Sequence, residues 1–210
     1  MALALKQAET VPVPASEKRH FTYADYLKWP EDVRAEIIYG VAYMMAPPLT
    51  NHQRISMRLS KRFAQFLEGK TCEVFAAPFG VRLFPKQDNS DDTVVEPDLV
   101  VICDSSKIDE QGCNGAPDLV IEILSPSTRR KDISIKLELY LKAKVREYWV
   151  VSPDNMEITV YVLENDRYSV KLYGLNDPEP HDEHYVVVPD IVPVSVLPGL
   201  EIDTKEIFRE

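Results

Sequence analysis

The sequence lacks the long apolar run that a membrane-spanning helix requires. No segment reaches the roughly 18–20 apolar residues needed to cross a bilayer, and the apolar start, Met1–Lys6, is too short for the hydrophobic region of a signal peptide. The three cysteines form no CxxC pair and have no histidine at metal-ligand spacing, which argues against zinc and fits a reducing compartment. These absences favour a cytoplasmic protein with no membrane partner and with structural cysteines.

An excess of basic residues is also missing. The chain has 24 Lys and Arg against 34 Asp and Glu, a formal net charge of −10, whereas contacts to phosphate normally require a basic surface. A nucleic-acid partner must therefore be argued from local clusters. The 210 residues of the chain, 45% of them hydrophobic, suffice for one substantial hydrophobic core. We expect a flexible lead-in over residues 1–20 and a single domain over residues 21–210.

Two acidic residues stand within otherwise apolar, strand-like segments. Asp98 lies in Glu96–Ile102 and Glu122 lies in Pro117–Leu124. Because alternate residues of a strand share a face, each acid belongs to a largely apolar row. An isolated ionised carboxylate there would cost several kcal/mol unless it lies near a strand end or a cation compensates it. Two such acids close together would call for a divalent metal; the alternative is that each is an ordinary turn residue or the partner of a surface lysine.

Periodicity and turn residues predict the elements around these acids. Glu122 is followed by a basic turn, a helix and a buried strand. The complete set comprises a capped helix at 22–28, a hairpin near 36–46, a helix over 50–68 with Thr50 as its N-cap, a strand pair over 73–84 and 94–103, the Glu122 strand, a helix around 131–143, a strand at 147–152, and a hairpin over 157–163 and 168–173.

An ordered set of motifs resembles the Uma-type branch of the PD-(D/E)XK nuclease superfamily. The resemblance runs from about Phe21 to Pro153 and more weakly to Phe208. Its motifs are Pro97-Asp98, the strand ending in Glu122-Ile123-Leu124, the Leu-Ser-Pro-Ser-Thr turn at 124–128, a lysine in the next helix, and Glu147–Val151. It implies an α/β restriction-endonuclease-like fold, with a mixed central sheet flanked by helices, and a metal-dependent nuclease, most simply a DNA endonuclease.

One position departs from the superfamily pattern. Leu124 stands where the motif usually carries lysine, and in similar families this lysine has moved to the following helix. Lys136 is the candidate here, because it borders the apolar stripe of that helix and its long stem can deliver the ammonium to Glu122. The alternative is an exposed i,i+4 pair between Lys136 and Asp132.

The resemblance also implies a ligand set for a metal. The carboxylates of Asp98 and Glu122, with the backbone carbonyl of Ile123, form an all-oxygen set that suits magnesium or manganese. Such a metal lowers the pKa of a bound water for attack on a phosphodiester. Lys136 would position that water or neutralise the developing charge.

Two upstream residues are further candidates for the catalytic site. Glu36 immediately precedes a predicted strand, where related families carry an additional acid; the alternative is a salt bridge to Arg34 or Arg58. His52 opens the long helix; the alternative is that it is simply a helix-terminal histidine.

A basic cluster, Arg129, Arg130 and Lys131, directly follows the Glu122 strand and is the candidate nucleic-acid contact. Cleavage of both strands of a duplex commonly uses two sites related by a two-fold axis, so a homodimer is expected. A catalytically silent nuclease fold that serves as a DNA-binding or adaptor module remains the alternative function, as does a purely structural role of the acids.

Overall fold

The computed structural model describes residues 20–30, 33–125, 132–175 and 188–209, and for Asp132 and Ile133 only the backbone. Three of the predicted site residues, Arg129, Arg130 and Lys131, lie outside the described residues, as does the expected lead-in apart from His20. Among the helices of the described chain, none is both long and apolar enough to cross a membrane.

In the described chain, helices alternate with many short strands. The helices are α1 Tyr23–Tyr26, α2 Thr50–Leu67, a 3-10 turn Ser105–Lys107, a π-helical turn Asp132–Lys136 that continues as α3 Leu137–Lys142, and α4 Thr204–Phe208. The strands are β1 Ala35–Ile38, β2 Val41–Met44, β3 Glu73–Ala76, β4 Gly80–Arg82, β5 Val94–Val95, β6 Leu99–Ile102, β7 Ile108–Asp109, β8 Gly112–Asn114, β9 Leu119–Ile123, β10 Glu147–Ser152, β11 Glu157–Glu164, β12 Arg167–Gly174, β13 Ile191–Pro193 and β14 Glu201–Asp203.

The main sheet has the order β12-β11-β10-β9-β6-β3, and of its pairings only β9 with β10 is parallel. Every residue of β9 and β10 is buried, as expected for central strands covered on both faces. One face packs on α2 through Leu59 and Phe63. The other packs on α3 through Leu139 and Tyr140. The prediction of an α/β fold with a mixed sheet flanked by helices is confirmed.

A second sheet, β2-β1-β5-β4-β8-β7, was not expected from the sequence. The predicted strands over 73–84 and 94–103 are each split in two, with β3 and β6 in the main sheet and β4 and β5 in the second. The breaks fall at Pro78 and Pro97, because proline has no N–H to donate to a ladder. The chain thus crosses between the sheets at both prolines, and Asp98 follows the second crossing directly.

The helix predicted over 50–68 is present, but its N-cap is not Thr50. Leu49 has extended backbone and its carbonyl accepts the first helical hydrogen bond, from the Gln53 N–H at 3.1 Å. Leu49 is therefore the N-cap, and Thr50 is the first helical residue. The short capped helix predicted near residue 22 is present, and Thr22 and Asp25 form the capping box at the N-terminus of α1.

The cysteines were expected to be structural residues of a protein in a reducing compartment, and two of them form a disulfide. Cys72 immediately precedes β3 and Cys103 immediately follows β6, and the pairing of Glu73 with Ile102 places the two cysteines opposite each other. Their sulfurs are joined at 2.06 Å. Cys113 is free and buried, and burial raises the pKa of its thiol to about 11. The sequence argument for a reducing compartment loses its premise, because it assumed no pairing.

Candidate active site

The two acids singled out in the sequence lie across from each other on neighbouring strands. In the antiparallel pair of β6 and β9, Leu99 pairs with Ile121, so the same register continued by one residue sets Asp98 opposite Glu122. The backbone N–H of Ile123 donates to Asp98 Oδ2 at 2.7 Å, which fixes the aspartate against β9. Like charges directly opposite in a ladder destabilise a sheet, so this pair requires cations nearby.

Lys136 supplies one of these cations from the helix that follows β9. Its Nζ lies 2.7 Å from Glu122 Oε1 and 2.7 Å from Glu36 Oε1, and its side chain is only 3% exposed. Lys136 ends the π-helical turn that precedes α3, a local widening of the helix that often occurs at functional sites. The alternative of a lysine on an exposed helix face is therefore wrong.

Tyr140 completes the environment of Glu122 and was missed in the sequence. Its hydroxyl donates to Glu122 Oε1 at 2.6 Å. Burial, with a smaller contribution from the charge of Glu122, raises the pKa of this hydroxyl well above its usual range, so it remains a donor at neutral pH. The signal was its i+4 spacing from Lys136, since a buried tyrosine hydroxyl needs a polar partner.

Glu36 lies within β1, as its second residue, and not before it as expected. It is 1% exposed, and besides Lys136 it accepts a hydrogen bond from the backbone N–H of Glu96 at 3.1 Å. Among the contacts of the described residues, the two alternative salt bridges of Glu36 are replaced by others. Arg34 pairs with Glu96 instead, and Arg58 donates to backbone carbonyls near the C-terminus.

His52 lies in the first turn of α2 and faces the acids. Its Nε2 is 3.2 Å from Asp98 Oδ1, and its side chain is 10% exposed. The two oxygens of Asp98 are therefore contacted by different groups, His52 on one and the Ile123 N–H on the other. This arrangement fixes the carboxylate plane and leaves lone pairs for a further ligand, since each ionised oxygen has two.

Apart from Tyr140, these groups line one pocket of about 340 Å³. The apolar segment Met44–Leu49 forms part of its lining. Its lining includes two cations, Arg34 and Lys136, and one histidine, His52. Its four acids are Glu36, Glu96, Asp98 and Glu122. With His52 neutral, four negative and two positive charges give a formal excess of −2 in a largely buried site.

This donor set fits a divalent cation. The excess of negative charge in a buried pocket favours one, and carboxylate oxygens are the ligands of magnesium and manganese. The Ile123 carbonyl faces the same side as the Ile123 N–H, which contacts Asp98, because both groups of a strand residue point toward one neighbour. Among the described residues no three His, Cys, Asp or Glu side chains form a ready metal cluster, so Asp98 and Glu122 would share the ion with a carbonyl and waters.

The pocket thus brings together six of the residues proposed from the sequence: Asp98, Glu122, Ile123, Lys136, Glu36 and His52. Their catalytic and metal-binding roles stay predictions, as do those of Arg129, Arg130 and Lys131. The structure adds Tyr140 beside Glu122, and Arg34 and Glu96 on the pocket wall.

Comparison with known proteins agrees with this architecture. A family model described as "Uma2: Putative restriction endonuclease" matches residues 23–200. A protein of Synechocystis sp. (strain ATCC 27184 / PCC 6803 / Kazusa), described as uncharacterized, is 32% identical over 145 residues, which are 68% of this chain and 74% of that protein. The crystal structure of a "putative nuclease belonging to DUF820" from Anabaena variabilis ATCC 29413 superposes with a TM-score of 0.66 at 23% identity, over 90% of this chain and 97% of that one. The resemblance found in the sequence is confirmed, and the chain belongs to the Uma2 family.

Proposed function

We propose that this protein is a metal-dependent nuclease that hydrolyses phosphodiester bonds, with DNA as its substrate. The observation that carries the proposal is the pairing of Asp98 with Glu122 across β6 and β9, at a pocket whose acids outnumber its cations by two. A family match to restriction endonucleases supports the same reaction class.

Magnesium or manganese would be held by Asp98, Glu122 and the Ile123 carbonyl. When bound, such an ion lowers the pKa of a water and stabilises charge on the phosphoryl oxygens. The chain itself prepares the ligands. His52 and the Ile123 N–H hold Asp98 in one orientation, while Tyr140 and Lys136 hold Glu122.

Lys136 has two tasks in this proposal. Its ammonium compensates the charges of the buried Glu36 and Glu122, because an oxygen of each carboxylate lies 2.7 Å from its Nζ. Facing the pocket, it also stabilises negative charge that develops at the phosphorus centre. Lys136 thereby takes the place of the motif lysine that Leu124 replaces.

The substrate and assembly extend the proposal. The cluster Arg129, Arg130 and Lys131 would contact the backbone of DNA beside the pocket. Cutting both strands of a duplex would use two copies related by a two-fold axis, so we propose a homodimer, which light scattering of the purified protein tests. A cytoplasmic location remains part of the proposal.

Cleavage of supercoiled plasmid tests the reaction. Wild type with magnesium or manganese should nick or linearise it, and a chelator should stop the reaction. Asp98→Asn and Glu122→Gln should each lose activity by two orders of magnitude or more. Arg62→Gln is the matched control, since Arg62 pairs with Glu206 outside the pocket. Cleavage that persists in both acid variants would refute the proposed site.

A silent DNA-binding or adaptor module is the second candidate. Leu124 at the motif position favours it, and so does the contact of both Asp98 oxygens and of Glu122 Oε1 with protein donors. Such a module would bind DNA with a salt-dependent affinity and cut neither DNA nor RNA with either metal. Wild type with that behaviour would replace the enzyme by the module, whereas chelator-sensitive cleavage would exclude the module.

A further inference from the structure

The pocket has two permanent cations, and they differ in how a substrate can reach them. Lys136 lies between two carboxylates with its side chain 3% exposed. Arg34 immediately precedes β1 and lines the same pocket with its side chain 39% exposed. Among the described residues of the pocket wall, Arg34 is therefore the cation that an incoming phosphate can approach.

The contacts of Arg34 leave part of its hydrogen-bonding capacity unused. Its Nη2 pairs with Glu96, whose side chain is 7% exposed. Its Nε–H is buried and has no hydrogen-bond partner among the described residues. A buried donor without an acceptor is unfavourable, and the fork of a guanidinium matches two oxygens of a phosphate. A small movement of the side chain toward a bound phosphate would satisfy both nitrogens.

The backbone around Arg34 is well anchored, so only the side chain needs to move. The carbonyl of Arg34 accepts from the Met45 N–H at 3.0 Å, at the open end of the β1 and β2 hairpin. Glu96 is held in turn, because its N–H donates to Glu36 Oε1 at 3.1 Å. Glu96 also directly precedes Pro97 and Asp98, so Arg34 stands next to the segment that carries the metal-binding acid.

We propose that Arg34 binds the phosphate that is to be cut, and that Glu96 holds its guanidinium in place until that phosphate displaces the carboxylate. This inference rests on the proposed function in one respect, that a nucleic-acid strand enters the pocket. Electrostatics make the exchange favourable, because the pocket has an excess of acids and a phosphodiester enters it only if a cation compensates. Glu96 thus competes with the substrate for Arg34.

Binding of fluorescein-labelled duplex DNA, measured by fluorescence anisotropy with calcium in place of magnesium, tests the inference. Arg34→Gln should lower the affinity roughly ten- to a hundred-fold. It should also reduce the slope of log affinity against log salt by about 0.9, as expected for one lost phosphate contact. Glu96→Gln should have the opposite effect and tighten binding, because it releases Arg34.

Two controls separate phosphate binding from charge and folding. Arg62→Gln removes an arginine of similar exposure, 40%, that pairs with Glu206 away from the pocket. This variant should leave the affinity and the salt slope unchanged. If its affinity for DNA fell as much as that of Arg34→Gln, the loss would be explained by net charge alone, and the inference would be overturned. The double variant Arg34→Gln, Glu96→Gln removes both charges of the pair, so it avoids an uncompensated buried acid and should still bind weakly.

Position along the strand is tested with duplexes that each carry one uncharged methylphosphonate. If Arg34 binds the phosphate to be cut, the substitution at that phosphate should abolish the difference between wild type and Arg34→Gln, and substitutions elsewhere should preserve it. Equal binding of wild type and Arg34→Gln to every duplex overturns the inference, whether or not cleavage occurs. Wild type that binds as described but never cuts refutes the nuclease and leaves Arg34 as a phosphate contact.

Discussion

Removal of the Lys136 ammonium tests the site without any substrate. Lys136→Met keeps the length and much of the volume of the side chain and deletes its charge. Glu36 and Glu122, 1% and 4% exposed, then remain buried without their common cation. Removing one partner of a buried ion pair costs about 3–5 kcal/mol. We expect the free energy of unfolding of the metal-free protein at neutral pH to fall by about that amount.

Urea unfolding followed by tryptophan fluorescence measures this loss, because Trp149 is fully buried beside Phe63. Lys144→Met is the matched control. The Lys144 ammonium pairs with Asp166 at the surface, where both side chains are more than half exposed, so its removal should cost no more than about 1 kcal/mol.

Magnesium should reduce the deficit of Lys136→Met, because it would compensate the acids that have lost their cation. Magnesium at a hundred times its dissociation constant would stabilise a single-site protein by about 2.7 kcal/mol. The gain should be larger in Lys136→Met than in wild type. A loss equal to that of Lys144→Met, or one insensitive to magnesium, would refute the arrangement of charges described here.

Three further predictions follow from other buried groups. Tyr140→Phe should lower the free energy of unfolding by about 1.5–3 kcal/mol, because Glu122 loses a hydrogen bond to its charged oxygen; calorimetry showing no change would contradict the contact. Burial raises the pKa of Glu147, which accepts from Trp149 Nε1 and the Val196 N–H. The folded protein therefore binds this proton to higher pH than the unfolded chain, and wild type should lose stability as the pH rises through the raised pKa. Glu147→Gln should be less stable by about 1–3 kcal/mol and should lack that part of the pH dependence, as urea titrations at several pH values would reveal. Reduction of the Cys72 to Cys103 disulfide, or its replacement by serines, should cost about 2–4 kcal/mol, and mass spectrometry of the alkylated native protein finding three free thiols would contradict the bond.

The acids of the site were predictable because their signals are local. Proline before Asp98 and the apolar rows around both acids mark the ends of buried strands. The distance between the two acids, in contrast, is set by residues that are far apart in the sequence. It depends on the register of β6 with β9, two strands separated by the entire insertion of β7 and β8. The sequence therefore predicted the two residues, and only the pairing of the strands brings them face to face.

The contacts that the sequence analysis did not predict also depend on the pairing of distant strands. Arg34 and Glu96 come together because Pro97 diverts the chain from one sheet to the other, and the pattern over 94–103 does not distinguish one long strand from two short ones. The disulfide likewise follows from the antiparallel pairing of β3 with β6. Tyr140 was missed because its ring packs in the apolar cluster, while only its hydroxyl contacts Glu122.

The position of Lys136 gives a physical argument between the two candidate functions. Leu124, which directly follows β9, packs into the apolar cluster beneath α3, while the ammonium reaches Glu122 from the helix. Replacement of a buried group of charges by apolar residues of similar volume is often neutral or stabilising by about 1–4 kcal/mol. Stability alone therefore does not account for the cluster of Glu36, Glu122 and Lys136. A module that only binds DNA has no use for a buried lysine between two acids. A site that holds two acids beside a phosphate has a use for a cation between them, and for this reason we favour the enzyme.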